Sequence, residues 1–384
     1  MADPEPPKLE ILDGVSGLPR EDWNRLVADE SPFLEWDWLA SLEDAGAVGP
    51  GTGWDPRPLV VRQNGRLLAA CPLYVKGNSE GEFVFDGGWA DAAYRADIRY
   101  YPKLLVGSPF TPVGGARFLV APGEDRAHWI RQLGQAIREL CVQNEFSSAH
   151  VNFCLEDEVE PLQQLGYLLR VGVQYHWHND GFGDFEDYLG RLRSKRRNQV
   201  RRERREVERE GIEIETLVAD EIPDDLFEPM YRFYLSTIEA RPWGRQYLNP
   251  ELFDLLRQRF RHRLCFVVAR RDGAPIAGAF NVQKGDALYG RYWGAGEYVR
   301  HLHFGVCYYA GIEHCIRHGL ARFEPGAGGS YKQLRGFDAR PTRSLHFLSD
   351  ERLAAAVARF LREEREETRQ TIDWLAERSA LKRP

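Results

Sequence analysis

One pattern that occurs twice constrains this chain more than any other feature. Residues 59–75 read LVVRQNGRLLAACPLYV and residues 267–283 read VVARRDGAPIAGAFNVQ. Aligning Asn64-Gly65 with Asp272-Gly273 gives a constant offset of 208 residues, at which Val60 matches Val268, Leu68 matches Ile276, Ala69 matches Ala277 and Ala70 faces Gly278. Each copy is a run of strand formers, a two-residue Asn-Gly or Asp-Gly turn, and a second run. That is the strongest short-range signal for a β-hairpin, because such turns need two left-handed residues in succession.

The surroundings repeat as well. Helix-like stretches precede each hairpin, around 20–28 and 36–45 in the first half and around 225–240 and 250–262 in the second. A strand, a crossover helix and a closing strand then follow. In the second half these are Ala287–Gly294, about His303–His318 and Ala321–Glu324. In the first half the late helix is about Asp125–Asn144 and the closing strand Ser148–Cys154. This predicts an α/β protein made of two mixed, mainly antiparallel units flanked by helices. Two such units fit 384 residues. The expected domains are 1–180, 181–348 and a long C-terminal helix in 349–384, with the first break at His178-Asn-Asp-Gly-Phe-Gly183. Asp350 to Ser379 carries an interrupted apolar stripe of Leu353, Val357, Phe360, Leu361, Ile372 and Leu375, which reads as a packing helix.

Charge marks a second region. From Arg193 to Arg209 there are nine basic and three acidic residues, a local +6 in a chain whose net charge is −7. Arg193, Arg197, Arg201, Arg205 and Arg209 form one i, i+4 row, while Leu189, Leu192, Val200 and Val207 fall on another side. Two readings follow. One is a solvated helix with local ion pairs such as Arg202–Glu206, Arg204–Glu208 and Glu206–Arg209. The other is a surface for phosphates, carried by RNA, a nucleotide or an anionic membrane. No aromatic residue interrupts the run, so it does not stack bases.

Composition narrows the function classes. With 43% hydrophobic and 12% aromatic residues the chain can bury large cores, so disorder is excluded. A net charge of −7 argues against coating nucleic acid, and no DNA partner is expected. No apolar run approaches the length of a membrane span. Met1–Glu10 lacks a signal-peptide pattern, so the cytoplasm is the expected compartment. The six cysteines form no CxxC pair, and His314 and His318 lie in HCIRH, not HExxH, so no metal is expected. No GxSxG elbow occurs.

Chemistry concentrates between residues 286 and 346. Tyr289-Gly-Arg-Tyr-Trp-Gly294 ends a strand, and Glu324-Pro-Gly-Ala-Gly-Gly-Ser-Tyr-Lys-Gln-Leu-Arg-Gly-Phe337 follows the next. Gly326, Gly328 and Gly329 permit close backbone approach to a ligand and leave amides free for an oxyanion. Lys332 and Arg335, three apart, suit an anion clamp. Glu324, at a strand end, suits a general base for an amine. The GxxxxGK[ST] spacing of a P-loop is absent. Tyr289, Arg291 and Trp293 alternate and are expected to line the pocket from one strand face. Arg241 and Trp243, beside Pro242 and Gly244, are expected to cap it. His176 and His178 share a strand face, and His301 and His303 precede a helix.

Several segments resemble the FemAB-like N-acyltransferases of the GNAT superfamily, a bacterial family associated with peptidoglycan. They are Pro72–Lys76, Gly81–Asp86, Trp89–Asp91, Tyr100–Leu104, Pro109–Val113, Ser194–Asn198, Leu288–Gly294, and Lys332 with Arg335-Gly-Phe337. The resemblance spans roughly 30 to 348. It implies tandem GNAT-like domains of FemAB type. It also implies transfer of an acyl or aminoacyl group to an amine, on a cell-wall precursor, a peptide or a small metabolite. Fem-type relatives take the group from aminoacyl-tRNA and ordinary GNAT enzymes from acyl-CoA, so one of these is the expected donor co-substrate, with no tightly bound cofactor. The chain departs from the family where the glycine-rich stretch reads like GAQGEHK. Gly328, Ser330 and Tyr331 stand in place of its Gln, Glu and His, which moves acid–base work to Glu324 or Tyr331. The pyrophosphate fingerprint of CoA-using GNAT enzymes, Q/R-x-x-G-x-G/A, is absent from Val299–Gly305 and from Val120–Glu124. The competing reading is a catalytically degenerate module that binds RNA, tRNA or an anionic membrane through Arg193, Arg197, Arg201 and Arg205. Nothing in the sequence sets an oligomeric state.

Overall fold

The computed structural model describes residues 5–240 and 244–382. The chain forms two compact units, Met1–Gly172 with Pro341–Gln370, and Val173–Arg340 with Thr371–Pro384. This corrects the expected boundaries. The first break falls within the strand Leu168–His178, not near residue 180. Most of the strand Asp338–Leu348 returns to the first unit, and the helix Glu351–Glu377 divides between both instead of standing alone.

The repeated hairpin is present in both units with the same register. Val60 pairs with Ala70 in the first and Val268 with Gly278 in the second. Each ladder shifts at the same place, between Val61 and Arg62 and between Ala269 and Arg270. Both turns place two successive residues in the left-handed region, Asn64 and Gly65 at φ 50° and 76°, Asp272 and Gly273 at 51° and 78°.

In the first unit the chain cannot continue one strand through Pro72, which has no N–H to give a ladder. Arg66–Cys71 pairs with Leu59–Gln63, and Leu73–Lys76 joins a second ladder with Trp54–Pro56 and Lys103–Val106. Lys103–Val106 runs parallel to Ser148–Asn152, which pairs antiparallel with residues 344–348. A parallel neighbour requires a crossover. The helix Arg126–Gln143 supplies it, capped by the Asp125 carboxylate on the His128 amide. Ile130, Leu133 and Ile137 cover Leu104, Val106, Ala149 and Val151 to form the core.

The second unit repeats this plan. Ile212–Val218, Leu264–Arg271, Ala274–Lys284 and Ala287–Ala295 form an antiparallel ladder. Ala287–Tyr289 then runs parallel to Arg322–Glu324, and Phe323 and Arg322 pair with Trp177 and His178. The crossover between the parallel strands runs from Leu302 to Arg317, with a widened π-helical turn at Gly305–Tyr309. The parallel ladder stops at Tyr289 and Glu324, where Pro325 removes the next donor. Among the described residues no helix is long and apolar enough to cross a membrane.

Candidate active site

Glu324 closes its three-residue strand. The residue before it, Phe323, points into the core against Gly311, where an added Cβ would lie 2.5 Å from the ring. Alternation therefore sends Glu324 to the opposite face. It is 6% exposed. Arg322 Nε stands 3.0 Å from Oε1, while Oε2 is buried without a hydrogen-bond partner, 3.8 Å from His176 Nε2. Burial raises the carboxyl to about 7, against the opposing pull of Arg322. Burial and the Arg322 charge lower His176 to about 3, so the imidazole is neutral. Arg322 also donates to the Tyr289 hydroxyl at 3.1 Å, and burial pushes Tyr289 up to about 12. A carboxylate titrating near neutrality, with one unpartnered oxygen, has the proton affinity that a general base for an amine needs.

The glycine-rich stretch comes next. Gly326, Gly328 and Gly329 have φ values of 87°, 66° and 85°, a conformation other residues rarely adopt. At Gly326 an added Cβ would also lie 3.1 Å from the Gly290 carbonyl oxygen. Lys332 gathers this loop from within. Its buried Nζ donates to the carbonyls of Gly326 at 2.5 Å and Ala327 at 3.2 Å. Burial lowers the ammonium to about 8. Lys332 thus orders the loop through its carbonyls.

Arg335, expected beside Lys332 as an anion clamp, is corrected. Its guanidinium is buried and places NH2 2.8 Å from both oxygens of Glu203, with Nε on the Tyr309 hydroxyl and NH1 on the Tyr331 carbonyl. It also lies 3.4 Å from the Phe304 ring centre. A guanidinium committed to an internal carboxylate has no charge left for a ligand. Glu203 accepts from Tyr309 as well, so this cluster fastens the helix Ser194–Arg209 to the end of the glycine-rich segment. Tyr331 is 58% exposed, and its ring meets Phe304 at 6.0 Å.

The expected shared face of Tyr289, Arg291 and Trp293 is also corrected. The ladder shifts so that Asn281 faces Gly290 and Phe280 faces Tyr292, which leaves Arg291 as an extra residue. A bulge reverses the alternation beyond it. Tyr292, packed on Phe280 and Tyr234, takes the face of Tyr289. Trp293 faces the opposite side, against His303 at 4.6 Å. Arg241 and Trp243 lie outside the described residues.

The arginine row is partly neutralised. Arg201 pairs with Glu186, and Arg204 pairs with Glu313, not Glu208, while lying 4.4 Å from the Phe185 ring centre. Arg202 pairs with Glu206 as expected, and Arg193 reaches the Glu377 carbonyl. A groove of 720 Å³ beside the helix is lined by Arg201, Arg204 and Arg205 but also by Asp184, Glu186, Glu208 and Glu313. It is a mixed surface, not a purely basic one. Arg197, Arg205 and Arg209 enter no carboxylate pair among the described residues.

Sequence reasoning singled out Glu324 and the His176/His178 face but did not bring them together. Arg322 and the Glu203–Tyr309 partners of Arg335 escaped it altogether. The Arg322-Phe-Glu324 alternation was the one available signal. Pairing it with residues 176–178 required long-range register, which spacing does not carry. His314 is engaged by Gln283, at 2.7 Å, and its ring lies tilted against that of His318, 4.4 Å between centres.

The profile of the FemAB-like family, described as peptidoglycan biosynthesis and recognition, matches residues 14–383. The chain belongs to the FemAB-like family. Among solved structures, that of FemX superposes with a TM-score of 0.55 at 10% identity, covering 89% of this chain and 98% of FemX. L-PGS from Bacillus licheniformis superposes with a TM-score of 0.52 at 9% identity, covering 90% of this chain and 97% of that one. At such identity the likeness carries the fold, which in this FemAB-like protein is the tandem GNAT-like arrangement seen in the two repeated units. No curated protein matches the sequence.

Proposed function

We propose that this FemAB-like protein is an acyltransferase that moves an acyl or aminoacyl group from a thioester or ester donor to an amine, with Glu324 as general base. The observation that carries this reading is the unpartnered Oε2 of a buried carboxylate titrating at about 7. The amine nitrogen attacks the donor carbonyl carbon and loses a proton to Glu324. As the C–N bond forms, negative charge gathers on the carbonyl oxygen, and backbone amides of Gly326–Gly329 are suited to receive it. Collapse breaks the C–S or C–O bond, and the leaving thiolate or alkoxide takes up a proton. His176, neutral and 3.8 Å from Oε2, keeps a second cation from depressing the base. Lys332 acts on the loop, and Tyr331 offers an exposed hydroxyl at its mouth.

The donor is acyl-CoA or aminoacyl-tRNA, and the acceptor an amine of a cell-wall precursor, a peptide or a small metabolite. The family description supports the cell-wall setting. The absence of the pyrophosphate fingerprint favours aminoacyl-tRNA. Lys195, Arg196 and Arg197 in the first turn of the arginine helix, where no acidic residue occurs, supply the matching charge. The same observation favours a second reading, a non-catalytic module that holds RNA or anionic lipid. Single-turnover assays with acetyl-CoA, a longer acyl-CoA and charged tRNA test both. Transfer from one donor, lost in Glu324→Gln, supports the enzyme. RNA or liposome binding without transfer from any donor supports the module.

A further inference from the structure

In the second unit the arginine helix and the crossover helix do not close fully over the edge strand Ile212–Val218. Between the two helices and that strand lies a cavity of 410 Å³, within the size range of small-molecule sites. Ile212 and Ile214, two apart on the strand, turn the same way and join Val207 and Ala310 in one apolar cluster, and all four side chains line the cavity. Gly305, in the widened turn, makes room for Ile214, since an added Cβ would lie 2.9 Å from its Cδ1. The cavity is on the sheet face that the crossover helix covers. Phe323 packs on Gly311 of that helix, so Glu324 points to the opposite face. This space is therefore separate from the proposed base.

The walls above this apolar floor are charged. Glu203, Glu208, Glu215 and Glu313 line them together with Arg204 and Arg317. Three of these carboxylates have a guanidinium. Glu203 is held by Arg335 and Glu215 by Arg270, and Glu313 meets Arg204 at 3.3 Å and the mostly exposed Arg317 at 3.7 Å. The i, i+4 spacing would give Arg204 to Glu208. Arg204 turns instead to Glu313 on the other helix. The Glu208 side chain is left with no hydrogen bond or ion pair among the described residues, although it faces the same space. His314 adds no charge to the wall. Burial and its cationic neighbours lower it to about 4, and it bonds to Gln283.

The lining specifies what fits. An apolar floor open to water is covered best by a hydrocarbon stem. The one carboxylate without a cation calls for a positive head, which an anionic head would replace with a like charge. We propose that this cavity is a second binding site of the protein, for a small organic ammonium whose stem lies on Val207, Ile212, Ile214 and Ala310 and whose charge pairs with Glu208. It does not rest on the Glu324 reading.

Calorimetric and ligand-observed NMR titrations of the full chain with hexylamine, hexanol and hexanoate test this, since the three share one stem and differ in charge at neutral pH. Saturable binding of hexylamine at millimolar concentration or below is expected, about threefold or more tighter than hexanol and tighter still than hexanoate. Butylamine, two CH₂ groups shorter, is expected to bind roughly tenfold more weakly. Glu208→Gln, at an exposed position, is expected to weaken hexylamine about threefold or more. Ala310→Leu fills this cavity without touching the neighbouring 720 Å³ groove, which Ala310 does not line, and is expected to weaken it several-fold. Glu324→Gln leaves the binding unchanged, which separates this site from that of an acceptor amine. Circular dichroism confirms that each variant folds. Equal or tighter binding of hexanol or hexanoate overturns the proposal. So does equal binding by wild type and Glu208→Gln, loss of binding in Glu324→Gln, or no saturable binding of hexylamine.

Discussion

The two units place equivalent strands in equivalent positions and fill them with opposite chemistry. In each, a short strand lies parallel to one neighbour and antiparallel to the other. In the first unit that strand ends at Asn152, opposite Ser344, with His150 opposite His346 two residues earlier. In the second it ends at Glu324, beside His176, with Arg322 opposite His178. The histidine pair of the first unit is closed. Its Nδ1 atoms meet at 2.6 Å, and each Nε2 reaches a serine hydroxyl at 2.8 Å, Ser148 on one side and Ser344 on the other. The end position is an amide whose Oδ1, like Glu324 Oε2, is buried without a hydrogen-bond partner, but an amide takes no proton at neutral pH. In the second unit the same position is a carboxylate with an unpartnered oxygen. One scaffold thus carries an amide at this position in one copy and a carboxylate in the other, and of the two only the carboxylate can accept a proton.

The largest expected effect breaks this comparison outright. Glu324→Gln lowers turnover by roughly 10²–10⁴-fold, whereas Asn152→Ala changes it by less than about threefold; single-turnover rates on the same donor read both. Equal losses would mean that the end positions do not differ in function. Next comes the contrast between Glu324 and Glu203, an open and a closed carboxylate of the same unit. Arg335→Ala strands Glu203 in the interior and costs about 3–5 kcal/mol in urea unfolding.

How far the sequence alone reaches depends on range. Turn chemistry is local, so both hairpins were readable from Asn64-Gly65 and Asp272-Gly273, and residues aligned at the offset of 208 occupy equivalent places in the two ladders. The strand-end place of Glu324 and the left-handed glycines were also readable, whereas Lys332, expected as half of an anion clamp, is held by the carbonyls of Gly326 and Ala327. What failed was non-local. The bulge at Arg291 reverses which face Trp293 takes, and no composition rule marks it. The partner of Arg335 lies 132 residues away on the arginine helix, and spacing says nothing of such pairs. The return of Asp338–Leu348 to the first unit likewise follows from pairing between distant strands.

Stability against pH sharpens the contrast further. The folded pKa of Glu324 is raised, so its ionisation costs stability as pH climbs through about 7. Glu324→Gln removes that cost and is expected to stabilise the protein by up to about 3 kcal/mol at pH 8, with little change at pH 5, read by chemical denaturation at both values. The first unit behaves in the opposite sense. Burial lowers His150 to about 3 and His346 further, so the fold holds both neutral. Stability is therefore present above the ordinary imidazole range near 6.5 and is lost as pH falls below it. The loss is about 2 kcal/mol per imidazole at pH 5, and a His150→Asn/His346→Asn double variant flattens that part of the profile. The smallest effect belongs to the arginine row. Arg201→Ala removes an exposed pair with Glu186 and changes stability by less than about 1 kcal/mol.

The central claim is that Glu324 is a base poised at neutrality, and its own titration tests this without any choice of substrate. Protein labelled with carbon-13 at the glutamate side-chain carboxyl is followed by NMR from pH 4 to pH 9, and Glu324→Gln assigns the resonance. A midpoint at about 7 is the predicted result. A midpoint in the ordinary carboxylate range near 4.5 would contradict it and leave the second unit without its proposed base.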